Sequence, residues 1–68
     1  MMAYMENLRA GKVWYSIDMT KEKAEKFKLY LRDHDIQFEP SECYNLIHFE
    51  CFMTEKELDL ANEWLEKN

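Results

Sequence analysis

The chain has 68 residues, 15% of them aromatic, and a formal net charge of −5. That length allows one domain, and a chain this short buries only about 60% of its unfolded surface, so a partner subunit is a common source of added stability. The negative charge disfavours nonspecific attraction to nucleic-acid phosphates or anionic membranes. The sequence begins without the basic start and apolar run of a secretory signal, and no stretch approaches the roughly 20 apolar residues of a membrane helix. We therefore expect a cytoplasmic protein that does not contact a membrane.

The first eleven residues form an N-terminal segment ahead of a single α+β domain over residues 12–68. Met1, Met5 and Leu8 could lie on one side of a short helix that ends at Gly11. The same segment could instead be partly disordered, or extended along the edge of a sheet.

A strand followed by a helix opens the domain. Lys12–Met19 alternates between an apolar side and a side that holds Trp14 and Asp18, which predicts a β-strand. Thr20 is a suitable N-cap, because its hydroxyl can accept from free backbone N–H groups. Apolar residues at helical spacing then predict a helix over Lys21–Arg32.

The second half contains a hairpin and another helix. Ile36–Glu39 and Leu46–Met53 both alternate, and Pro40 interrupts the pattern, so we expect two paired strands with their connection within residues 40–45. Thr54, with a glutamate three residues later, forms a capping box. It predicts a helix over Glu55–Lys67.

The strand–helix unit occurs twice, at Val13–Leu31 and Ile47–Leu65, at a constant offset of 34 residues. The apolar pattern agrees between the copies although identity is low, which is a structural signal. The order β-α-β-β-α resembles the split-βαβ arrangement of ferredoxin-like domains without the fourth strand. We expect a two-layer sandwich with sheet order 2-3-1, the first and third strands parallel, and both helices on one face. The resemblance implies a fold and no activity.

Cysteine and histidine side chains are the candidates for metal binding or nucleophilic chemistry. His48 and Cys51 are an odd number of residues apart, so they point to opposite faces of a strand, and Cys51 falls in register with core positions. Two cysteines, Cys43 and Cys51, with a single intervening histidine do not match a zinc spacing. Nothing supplies the orienting group and oxyanion loop that a cysteine nucleophile needs. We expect no catalytic residue, no metal and no cofactor.

The sheet face that the helices leave uncovered is the predicted interaction surface. It carries Trp14 and Asp18 from the first strand, and His48, Glu50 and Phe52 from the third. Parallel pairing would place Trp14 near His48 and Asp18 near Phe52. Exposed aromatic surface often marks an interface. The alternative is that the N-terminal segment folds across this face and buries Trp14 as core.

The leading functional hypothesis is a small non-enzymatic interaction or regulatory module. It would bind a protein partner through the uncovered face and form a homodimer through that face or through the open edge of the first strand. The alternative is an acidic inhibitor that imitates nucleic acid and occupies the basic site of a DNA- or RNA-binding protein, since residues 33–68 hold ten acids and two lysines. An RNA-binding sheet, in which bases stack on strand aromatics, is less favoured because acids surround the rings.

Overall fold

The structure is a computed structural model, and it describes residues 11–68. Its elements, in chain order, are β1 (Val13–Thr20), α1 (Lys21–Asp33), β2 (Gln37–Cys43), β3 (Leu46–Met53) and α2 (Glu55–Lys67). The predicted element order is confirmed. The expectations for residues 1–10 lie outside the described part of the chain. Within residues 11–68, neither helix has the length and apolar character to cross a membrane.

The three strands form one sheet in the order β1-β3-β2, and β3 is antiparallel to both of its neighbours. The predicted order is confirmed, but the predicted parallel pairing of β1 with β3 is wrong. The crossover rule applies to the strands that a helix joins, and α1 joins β1 to β2. Those two strands are parallel, and β3 returns through a tight turn and lies between them.

Both helices begin at the predicted caps. The Thr20 hydroxyl accepts a hydrogen bond from the backbone N–H of Lys23 at 3.3 Å. Thr54 accepts from the backbone N–H of Glu57 at 3.1 Å, and the Glu57 carboxylate accepts from the N–H of Thr54 at 2.9 Å. The second cap is therefore the reciprocal capping box that the sequence predicts.

The hairpin is tighter than expected, because β2 continues through Pro40 to Cys43 and only Tyr44 and Asn45 connect it to β3. The connection lies within residues 40–45, as predicted, but the expectation that Pro40 interrupts the strand is wrong. Proline cannot donate to a strand ladder, but an edge strand has one side that needs no partner, and β2 is an edge strand. Tyr44, the first residue of the turn, has a φ of 59°.

The core lies on one face of the sheet, beneath both helices. Its fully buried side chains come from both helices and from alternate positions of β3: Ala24, Phe27, Leu31, Phe49, Cys51, Met53 and Ala61. The Phe27 ring of α1 meets Phe49 edge-on, with centroids 5.3 Å apart, and lies 5.7 Å from the Trp64 ring of α2. A single cluster thus holds two helices and a sheet together, as predicted, and Cys51 belongs to it.

Candidate functional site: the open face of the sheet

We call the sheet surface opposite the helices the open face. Strand alternation sends every second side chain to it, and the register aligns these side chains in cross-strand rows. Its members come from all three strands: Trp14, Ser16, Asp18, Thr20, Gln37, Glu39, Ser41, Cys43, Leu46, His48, Glu50 and Phe52. Each of these residues is exposed or half-buried, whereas the β3 residues between them are buried.

An aromatic pair occupies one end of the open face. Trp14 and Phe52 are cross-strand partners, their ring centroids are 5.2 Å apart, and the ring planes are tilted by 40°. Pairs with this geometry contribute about 0.5–1.5 kcal/mol beyond the area that they bury. Trp14 nevertheless remains 46% exposed. The pair therefore holds a large apolar surface in a fixed position and still presents it to solvent.

The centre of the open face holds a histidine between two carboxylates. The His48 Nδ1 lies 2.6 Å from an Asp18 oxygen, and the Nε2 lies 2.6 Å from a Glu50 oxygen. Only the protonated ring can donate from both nitrogens. The hydrogen bonds to Glu50 and then to Asp18 accordingly raise the pKa of His48 above its ordinary value.

Glu50 is held from two directions. It accepts from His48 and also from the Ser16 hydroxyl at 2.9 Å. The hydrogen bonds from His48 and then Ser16 lower the pKa of the Glu50 carboxyl. Glu39 of β2 lies directly opposite Glu50 on the other side of β3, and like charges in such a pair repel. The two donors on Glu50 offset part of that repulsion.

The far end of the open face, near the hairpin, is again partly apolar. Leu46 is exposed in the row that also holds Cys43, and Tyr44 at the tip of the turn is 97% exposed. The sequence analysis did not identify this end. Assuming a two-residue turn in the sequence would have identified this end, because such a turn pairs β2 and β3 as far as Cys43 and Leu46.

The histidine and cysteine side chains differ in their availability for chemistry. Both His48 nitrogens are engaged by carboxylates, so the ring in this state has no lone pair for a metal or a proton. Within residues 11–68 no group of three or more His, Cys, Asp and Glu side chains is arranged to hold a metal ion. Cys51 is on the helix side of the sheet, and burial raises the pKa of its thiol to about 11. Cys43 is exposed, and both cysteines are free.

The five residues predicted from the sequence, Trp14, Asp18, His48, Glu50 and Phe52, lie together on the open face. Their role in binding stays a prediction. Their predicted neighbours are wrong: Trp14 is opposite Phe52, and Asp18 is opposite His48. The antiparallel direction of β3 separates the aromatic pair from the charged cluster, whereas the parallel arrangement would have mixed them.

No protein-family model, curated protein or solved structure matches this chain.

Proposed function

We propose that this chain is a non-enzymatic protein-interaction module that binds a protein partner through the open face and also associates with itself. The observation that carries the proposal is the Trp14–Phe52 pair, whose tilted rings contact each other while Trp14 stays 46% exposed beside His48. Tryptophan and tyrosine are enriched among the residues that dominate interface energies. We also propose that the fold belongs to the ferredoxin-like class, in a version without the fourth strand.

The polar cluster next to the aromatic pair supports a specific interface. Asp18 and Glu50 are fixed by His48 before any partner arrives, so less side-chain freedom is lost on binding. Together with Glu39 they give the face three carboxylates against one imidazolium. A partner with a basic patch beside an apolar side chain complements this surface in charge and in shape.

Photo-crosslinking in the producing cell tests the proposal. A photoreactive phenylalanine analogue replaces Phe52, and the matched control places the same analogue at Leu60, which is 48% exposed on α2. We expect a covalent protein adduct from position 52, none from position 60, and loss of the adduct when Trp14→Ala is added. Adducts from position 60 alone would place the interface on α2 and refute the proposal.

A second candidate, inhibition of a nucleic-acid-binding protein, rests on a different surface. The outer side of α2 carries four exposed acids: Glu55, Asp59, Glu63 and Glu66. Such a row can imitate phosphates. Under this hypothesis a captured partner is released by DNA, and reversal of Glu55, Asp59 and Glu63 abolishes capture. Capture that is indifferent to these reversals and to salt removes the hypothesis. An RNA-binding sheet is the least favoured function, because carboxylates surround the rings.

A further inference from the structure

The two edges of the sheet differ in their capacity to accept another strand. On β2, Pro40 lacks an N–H group, and Glu42 forms an ion pair with Lys21 at 3.5 Å. Proline and charge are the usual protections of an edge. β1 contains no proline, and its one charged residue, Asp18, is paired with His48 on the open face. Within residues 11–68 nothing pairs with the outer side of β1. The edge formed by β1 is therefore the one suited to strand addition.

Among residues 11–68, the core is also less completely covered on the β1 side. The helix-facing residues of β3 are all buried, but their counterparts on β1 lose burial toward its start. Tyr15 and Ile17 are half-buried, and Val13 is 47% exposed. Apolar side chains thus continue to the edge of the sheet and end there. On the β2 side, the corresponding place is taken by the polar pair of Glu42 and Lys21.

We propose that β1 pairs antiparallel with β1 of a second copy, so that two chains share a six-stranded sheet. The inference rests on the proposed self-association and names its surface. The favoured register sets Tyr15 opposite itself. It also pairs Val13 with Ile17 and Lys12 with Asp18 across the interface. The three kinds of pair, aromatic, β-branched and opposite-charge, all stabilise adjacent strands. A register centred on Asp18 would instead oppose two carboxylates.

This pairing makes the partner-binding surface a joint property of two chains. A twofold axis perpendicular to the sheet keeps both helical layers on one side and both open faces on the other. In the favoured register Trp14 of each copy lies opposite Ser16 of the other. The two aromatic pairs then adjoin at the centre of one continuous face, and the second copy extends the surface that one chain presents.

Molar mass in solution, measured over a range of concentrations, gives the first test. We expect the 8.4 kDa chain to form a dimer of twice that mass. Lys12→Glu removes an attractive pair twice in each dimer, so it should raise the dissociation constant roughly twofold to thirtyfold. Lys56→Glu on α2 makes the same change in net charge and should have no such effect. Equal effects of the two substitutions, or a monomer at every concentration, would overturn the pairing.

Cysteine crosslinking tests the register. Cys51 is the β3 partner of Tyr15, so it is replaced by alanine, and Cys43 is replaced by serine. In that background Tyr15→Cys places the thiols of two copies opposite each other and should yield a disulfide-linked dimer on mild oxidation. Ile17→Cys is the control, because its two copies would be about 13 Å apart along the strands, beyond the reach of a disulfide. Crosslinking of the Ile17 variant without the Tyr15 variant would overturn the register.

Hydrogen exchange on the unaltered chain does not depend on whether a variant folds. The β1 amides that point away from β3 should be protected at concentrations where the dimer forms and should exchange rapidly on dilution. Protection at every concentration would mean that the chain covers its own edge, and overturns the inference. A dimer whose β1 amides stay unprotected refutes this edge but leaves self-association standing. Crosslinking from Phe52 tests the open face independently of both outcomes.

Discussion

Trp14→Ala tests whether Trp14 belongs to an interaction surface or to the structural core. The substitution removes the ring that contacts Phe52, but that ring is already 46% exposed. A fully buried large aromatic costs about 3–5 kcal/mol when cut to alanine. For a half-buried ring with one aromatic contact worth about 0.5–1.5 kcal/mol, we expect about 1–2 kcal/mol of lost folding stability. The domain should stay folded.

The matched control is Phe49→Ala on the same strand pair. Phe49 is fully buried and touches Phe27 and Phe38, so it should lose about 3–5 kcal/mol. The loss of partner affinity should have the opposite ranking: among variants that still fold, Trp14→Ala should weaken partner binding more than Phe49→Ala does. Truncation of a central interface tryptophan costs about 2 kcal/mol or more, which corresponds to about thirtyfold weaker binding.

Urea unfolding followed by circular dichroism measures both variants at one fixed chain concentration, because the stability of a self-associating protein depends on concentration. The reasoning fails if Trp14→Ala destabilises the domain as much as Phe49→Ala does. That result would make Trp14 a core residue, as expected if the N-terminal segment folds across the open face.

Three further predictions concern stability. The raised pKa of His48 contributes stability below its ordinary value of 6.5 that is lost as pH rises through the folded value, and the lowered pKa of Glu50 contributes stability above 4.5 that is lost as pH falls. The unfolding free energies of wild type and His48→Gln should therefore differ most between pH 4.5 and 6.5. A difference that does not vary with pH would contradict this. Thr54→Ala should cost about 1–2 kcal/mol, more than Thr20→Ala, because Thr54 belongs to a reciprocal pair of bonds; equal losses in urea unfolding would refute the ranking. Tyr44→Gly should raise the melting temperature, because it relieves the backbone strain of a positive φ, about 1–2 kcal/mol, and the exposed ring makes few contacts that would be lost. A lower melting temperature would show that the exposed ring stabilises the turn.

Features that depend on local periodicity could be predicted from the sequence. Alternation alone decides which face of a strand a side chain occupies, so Trp14, Asp18, His48, Glu50 and Phe52 fall on one surface whichever way β3 runs. The helix starts were equally local, because a cap needs only a threonine and the N–H groups just after it. For the same reason, Cys51 was placed in the core by its register with Phe49.

Features that depend on chain direction could not be predicted in this way. Whether Asp18 meets His48 or Phe52 is set by the direction of β3, and that direction follows from the connection of β2. The contact between His48 and its two carboxylates depends on this choice, so the sequence alone did not indicate it. At Pro40 the local pattern indicates a break or a bend, because an edge strand tolerates proline and the position of β2 at the edge is a property of the whole sheet.

The antiparallel pairing of β1 and β3 also gives the chain an internal twofold symmetry. A half-turn about an axis through the sheet exchanges β1 and β3, and the bounds of the helices that follow them match at the 34-residue offset. Ser16 and Glu50 are equivalent by that offset and are also direct cross-strand partners, so the axis passes between them. If the two halves were identical, the residue at this one position would face its own copy. A glutamate in both halves would bring two carboxylates together, whereas serine donates to glutamate. At this position the chain is stabilised because the two halves carry different residues. That requirement limits how similar the sequences of the two halves can be.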